Sequence, residues 1–440
     1  MGPSPRLVAL LIFSLLHLLC LSFGFEIKEA TGSQIQQAFK RKELTSRDLV
    51  EFYLREINGL NPLLRAVLEV NPDALDQADE ANKEREATYG ECAEGLHGIP
   101  VLLKGNIATQ GRLNTTAGSL TVVRRLRAAG AIILGKTSMS EWAEFRSLEA
   151  PMGWNAIGGQ HKVTNRRKNG WPICRTVLDA VFVLEEIVGF DQRDKKATIA
   201  SSKFIPAGGY KQFLKAEGLR EKRLGILREP FFNFSGTSVL AQTFETHSKT
   251  LRFMICFWLC RKQKRAILAD NIEMSNINVI LDFKKALNAY LSKLLVSPVR
   301  TLADVIAFNI KHSKEMVIWH RKLKEYGQDI FIQAESLNRS NSSQVKRAIS
   351  NLKELSRNGV EKVMREKKLD AILAPADTPV YTILAIGGYP GITVPAGFDE
   401  EGVPFGICFG GLRGSEPKLI GIAYSFEQAT HIRRPPTFKS

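Results

Sequence analysis

The sequence predicts an α/β fold, a single domain in which helices alternate with short buried strands around a large mixed β-sheet. Three observations carry that reading. Stretches with apolar residues at helical spacing alternate with short apolar runs bounded by Gly or Pro, the pattern of an α/β chain. The 440 residues are 44% hydrophobic, 24% charged and 8% aromatic, which matches an ordinary folded protein and excludes disordered, collagenous and coiled-coil classes. No internal repeat or low-complexity linker divides the chain, and its length suffices for one large core.

The elements follow in order. Thr45 and Ser46 cap a helix through about Asn58, with Leu49, Phe52, Tyr53 and Ile57 on one face. Leu64 to Val70 reads as a strand, Pro72 to Glu86 as a polar helix, and Ile99 to Leu103 as a buried strand after Gly98. Val122 to Ala129 is a helix, Gly130 its C-cap, and Ala131 to Leu134 the next buried strand. Ser138 and Glu141 form a capping box that opens a helix with Trp142 and Phe145 on its inner side. Residues 152–171 lack periodicity and read as loop. Thr176 to Val188 is a helix, Arg223 to Leu227 a strand, and another helix begins near Ser238. Amphipathic helices fill 281–366, and Asp370 to Leu373 and Ile392 to Val394 are strands.

The first 24 residues have the three-part grammar of a secretory signal. Met1 to Arg6 is short and positive, Leu7 to Leu21 is almost wholly apolar, and Ser22 and Gly24 suit a cleavage site. The apolar run is short for a membrane span, so the expected product is a secreted chain, 25–440, without a stable membrane anchor. In that compartment the sequons at Asn114, Asn233, Asn338 and Asn341 become glycan acceptors where they are exposed, two of the four at most. Six cysteines without a C-x-x-C pair are too sparse to hold the fold, and Cys256 and Cys260 lie in an apolar stretch. The excess of 61 Lys+Arg over 45 Asp+Glu gives +16. Its short basic runs, Arg166 to Lys168 and Arg261 to Arg265, have no interleaved aromatics and no nucleic-acid motif. Nucleic acid is therefore not an expected partner. A solvated charged face is, with acidic polysaccharide or a membrane surface as the partner class if there is one.

Chemistry concentrates in Leu96 to Gly111. Lys104 leaves the end of a buried strand beside Gly105, where apolar surroundings can hold an amine partly neutral and fit it to act as a base. The motifs around it are G-I-P-V-L-L-K-G-N, T-T-A-G-S (Thr115 to Ser119), L-R-A-A-G-A-I-I-L-G-K (Leu126 to Lys136) and S-M-S-E-W-A-E-F-R (Ser138 to Arg146). With Pro172 to Thr176, Gly388 to Gly397 and Pro404 to Leu412 in the same order, the chain resembles the amidase signature family, its secreted-type plant members in particular. The resemblance runs from about residue 26 to 440. It implies a single α/β/α domain around a mixed sheet, hydrolysis of carboxylic amide C–N bonds, and a small-molecule or peptide amide substrate. It also implies a Ser–cis-Ser–Lys triad that uses no cofactor and no metal, with Lys104 at the position of the base.

The chain departs from that pattern where the chemistry should be. The family's Gly/Ser-rich segment belongs between Gln160 and Pro172, where this chain has only His161 to Trp171. No G-S-S, S-S-G or G-G-S triplet occurs anywhere, so both triad serines and the oxyanion loop lack counterparts. Gly105 replaces the family's Asp. Family segments are shortened near 119–122 and 160–172, and an apolar insert lies near 252–262, splitting a helix and strand. Lost and gained blocks with intact flanks suggest exon skipping and intron retention. The sheet is therefore expected to be incomplete in its centre and the hydrolase inactive, either a secreted binding protein or a mis-spliced product. Among substitute nucleophiles, Ser138 and Ser140 lie near the lysine in sequence, and Ser138 reads as a helix cap. The pairs Ser343/Lys346, Ser350/Lys353 and Ser415/Lys418 have the spacing of serine–lysine acylases at about chance frequency. His161 reads as a solvent-exposed loop histidine without a Ser or Cys partner.

Overall fold

The computed structural model describes residues 25–88, 95–113, 121–161, 173–228, 231–232, 238–253, 256–259, 279–313, 323–337, 342–376 and 378–436. The signal segment, all four sequons, Cys260, Thr115 to Ser119 and both basic runs lie outside the described residues.

Ten strands are described, in the order β1 (Val67–Val70), β2 (Pro100–Lys104), β3 (Ile132–Thr137), β4 (Trp154–Asn155), β5 (Gly159–Gln160), β6 (Leu224–Leu227), β7 (Cys256–Leu259), β8 (Ala371–Pro375), β9 (Gly391–Phe398) and β10 (Pro404–Gly410). Among the described residues, the mixed sheet expected to be incomplete in its centre is two sheets, β1-β3-β2 and β7-β6-β8-β10-β9, with β4-β5 a small hairpin. In the first, β2 runs parallel to β3 and β1 antiparallel. In the second, β6 is parallel to β7 and β8, while β10 is antiparallel to β8 and β9. The apolar insert does not merely split the chain: its Cys256–Leu259 stretch becomes β7 and extends the second sheet at its edge.

The layering follows from the two-residue period of a strand. On β3, Ile132 and Leu134 face Val50, Ala74, Ala78 and Ala81 of the helices Ser46–Leu64 and Ala74–Ala87. Ile133 faces the other way, onto Val123 and Leu126 of the helix Thr121–Ala128. The second sheet repeats the rule. Ala371 and Leu373 pack with Phe405, Ile407 and Phe409 against Leu419, Ile422 and Phe426 of the helix Glu416–Thr430. Ile372, Ala374 and Cys408 pack on the opposite face with Val380, Leu384 and Met364.

One helix joins the two halves. Val177–Ile187 starts where Thr176 accepts from Asp179 N, as its capping position predicts. Its Val177 and Val181 belong to the core of the second sheet, while Phe182, Val183 and Ile187 pack on that of the first. Gly130 ends its helix as expected, at φ +72, a conformation that favours glycine. A Cβ there would also come within 2.4 Å of His97 Cδ2.

Candidate active site

Lys104 is the last residue of β2 and the register partner of Thr137 at the end of β3. Gly105 N–H donates to the Thr137 carbonyl at 3.0 Å and Ile107 N–H to the Lys104 carbonyl at 2.9 Å, closing the turn that follows the strand. The half-buried Lys104 thus stands at the carboxyl end of two parallel strands, the position where α/β sheets present their ligand sites. The neighbours have closed around Gly105, the residue in place of the family's Asp. A Cβ there would lie 3.3 Å from the Thr137 carbonyl oxygen and 3.8 Å from Met139 Cγ.

A second lysine is more deeply buried. Lys136, on β3 beside Leu103, is 2% exposed. Its Nζ donates to the Ile107 carbonyl. Desolvation pushes its pKa below the ordinary lysine range, and the nearby Glu69 carboxylate opposes that shift. The bond ties β3 to the turn that follows Lys104. The strand read from the sequence stopped at Leu134, which left Lys136 beyond it and without an assigned role.

The expected helix after Ser138 does not form. Residues Glu141–Glu144 make only a 3-10 turn, with Trp142, Ala143 and Glu144 at positive φ. Glu141 does not close a capping box. Its Oε2 accepts from Ala156 N at 2.8 Å and its Oε1 pairs with the buried Arg146 at 3.2 Å. Long-range partners outcompete the local cap. Phe145 stacks on Phe283 at 4.7 Å as the pattern implied, whereas Trp142, edge-on to Phe331 at 5.3 Å, stays 39% exposed rather than facing inward.

Ser138, released from capping, meets the residue that the sequence left alone. Its Oγ lies 3.1 Å from His161 Nδ1 and accepts from Asn155 Nδ2 at 2.8 Å. His161 is half-buried rather than solvent-exposed, and it does have a serine partner. Residues 152–161 are not featureless loop: the β4-β5 hairpin brings His161 back to the end of β3, with His161 N–H donating to the Gly153 carbonyl at 3.0 Å. Asn155 fixes the hairpin. Its Oδ1 accepts from Ile157 N at 3.1 Å and Gly158 N at 2.7 Å, and Nδ2 also donates to the Met139 carbonyl at 2.9 Å. The available signal was Asn155-Ala-Ile-Gly-Gly, an Asx-turn sequence. Burial pushes the His161 imidazole below its ordinary pKa, opposed by a hydrogen bond with the Gly153 carbonyl.

Among the described side chains, no serine–lysine pair is seen to assemble. Ser415 Oγ donates to the Leu412 carbonyl at 2.5 Å, while Lys418 pairs with Asp370 at 2.9 Å. Ser350 and Lys353 share the helix Ser342–Ser356 and are both exposed, and the Ser343 side chain lies outside the described residues. Cys174 is no nucleophile: burial, with Asp179 nearby, pushes its thiol up to about 12. Among the described residues, no cluster of His, Cys, Asp or Glu could hold a metal ion, and no helix is long and apolar enough to cross a membrane.

Comparison with known proteins places this geometry. The amidase family model matches residues 48–156, a span that contains Lys104, Ser138 and Asn155. A protein of Arabidopsis thaliana named a probable amidase is 43% identical, over 95% of this chain and 93% of its own length. That alignment runs over 505 positions against the 440 residues here, so the relative carries blocks that this chain lacks. Among solved structures, the peptide amidase of Stenotrophomonas maltophilia superposes with a TM-score of 0.81 at 31% identity, covering 94% of this chain and 99% of that one. An amidase family protein of Bacillus anthracis shares the fold at a TM-score of 0.80, with 23% identity and coverage of 94% and 93%. Motifs in order, a layered α/β fold and relatives matched over nearly their full length agree: the chain belongs to the amidase signature family.

Proposed function

We propose that this chain is a secreted, carboxamide-binding member of its family in which the Ser–cis-Ser–Lys relay is not assembled. One observation carries the reading: no Gly/Ser-rich triplet of the family type exists in the 440 residues, and only eleven residues, His161 to Trp171, occupy its place. Without the nucleophile and the relay serine, Lys104 has no proton to move. What supports retained binding is that the β2 and β3 ends and their turns persist, and that a 31% identical neighbour is a peptide amidase. Peptide or small carboxamides are therefore the ligand class. Secretion rests on the signal grammar of residues 1–24, and glycosylation on the four sequons.

The test is calorimetric titration of the secreted protein with a short peptide carboxamide and, separately, its free acid. The expected result is saturable heat with the carboxamide, weakened in Lys104→Ala, and no release of ammonia. Absence of binding by a protein that unfolds cooperatively would overturn the binding reading.

A further inference from the structure

The hydrogen bond between Ser138 and His161 has a consequence beyond fastening the hairpin. A serine hydroxyl has one proton to donate. Asn155 Nδ2 already donates to Oγ, and the Asn155 amide cannot be turned round, because its Oδ1 is held by the two backbone donors Ile157 N and Gly158 N. His161 Nδ1, at 3.1 Å, is the acceptor that this arrangement offers the hydroxyl proton when the imidazole carries its own proton on Nε2. The imidazole suits that part. It is half-buried and held neutral at neutral pH, and its Nε2 edge lies against Gly153, where an added Cβ would come within 2.9 Å of that nitrogen. A proton on Nε2 leaves Nδ1 bare towards Ser138. Serine and base lie within hydrogen-bond reach, as an activated nucleophile requires, with Ser138 held by Asn155 and the imidazole set against Gly153.

Position supports the same conclusion. Ser138 follows Thr137, the register partner of Lys104, so the pair stands at the carboxyl end of the parallel strands. Both side chains are partly accessible, and the hairpin that carries His161 also exposes the apolar Met152 and Ile157, surface on which an acyl group can rest.

We propose that Ser138 and His161 form a nucleophile–base dyad that accepts acyl groups from small carboxylic esters, independently of the family's triad. In the step, Ser138 Oγ bonds to the ester carbonyl carbon as its proton passes to His161 Nδ1. The carbon–alkoxy bond breaks, and the leaving alkoxide takes that proton from Nδ1 as the alcohol. Water then adds to the acyl-serine, giving a proton to Nδ1. The Ser138–acyl bond breaks, the acid departs, and Oγ recovers the proton.

The experiment uses the purified secreted chain and a fluorophosphonate probe, with the adduct located by peptide mass spectrometry. The dyad predicts an adduct on Ser138, no labelling of Ser138→Ala, and labelling of His161→Gln slowed by about a hundredfold or more, the contribution of a lost general base. Ser415→Ala, remote from the dyad, should label as the unaltered chain does. Site location on the unaltered protein keeps the test valid even where a variant misfolds. An adduct on another serine, or none on a cooperatively unfolding protein, overturns the dyad. The lost-relay reading fails separately, on Lys104-dependent release of ammonia.

Discussion

Replacing Asn155 tests the geometry on which the site depends. Asn155 is 6% exposed and makes four hydrogen bonds: two donated, to Ser138 Oγ and the Met139 carbonyl, and two accepted, from Ile157 N and Gly158 N. A typical intramolecular hydrogen bond contributes about 0.5–1.5 kcal/mol net. The two accepted bonds belong at the low end, because Ile157 at the hairpin tip is 64% exposed and water can replace the lost acceptor. The donated pair belongs higher. Asn155→Ala is therefore expected to cost about 3 kcal/mol, read from the urea midpoint at unchanged m-value. Asn155→Asp is nearly isosteric and keeps the acceptor. It loses both donors and sets a carboxylate oxygen against the Met139 carbonyl and Ser138 Oγ, so it should be about as damaging. An Asn155→Asp protein as stable as the original would refute the reasoning, since the donors would then contribute nothing.

Two further outcomes follow from the same structure. His247 is buried between the Phe244 and Phe426 rings with Nε2 2.6 Å from the Ala396 carbonyl, and burial pushes its pKa below the ordinary 6.5. The unfolded chain then binds a proton that the folded chain refuses, so stability is complete above about pH 6.5 and falls as the pH drops below it. Urea midpoints measured across that range should show the slope, and His247→Gln should flatten it. Restoring the family residue by Gly105→Asp should cost about 1 kcal/mol, because the new Cβ presses on the Thr137 carbonyl. It should give no amide turnover, since the serines remain absent; turnover in that variant would contradict the account.

Most of the layered fold was legible because its signals are local. The caps at Thr45 and Thr176, the C-cap at Gly130 and the alternation along Ile132 to Leu134 each depend on neighbours a few residues away. The failures have the opposite character. The Ser138–Glu141 box is a valid local signal, but Glu141 is claimed by Arg146 and Ala156, and Arg146 is itself held by the Gly327 carbonyl at 3.1 Å. Nothing within four residues of Ser138 reveals those contacts. For the same reason His161 looked solitary: 23 positions separate it from Ser138, and only the turn built on Asn155 closes the gap. Lys104 was found through its strand and flanking motif, whereas the deeper burial of Lys136 depends on both neighbouring strands. The division into two sheets was foreshadowed by the missing block, but the recruitment of Cys256–Leu259 as an edge strand was not, because an apolar run of that length fits a core helix equally well.

A Lys104 without its two serines should contribute nothing to amide cleavage. The decisive experiment follows ammonia release from a short peptide carboxamide, side by side for the purified chain and its Lys104→Ala variant. Both are expected to remain at the rate of the buffer. Ammonia release that the unaltered chain sustains and Lys104→Ala abolishes would contradict that expectation, and would mean that another serine completes the triad.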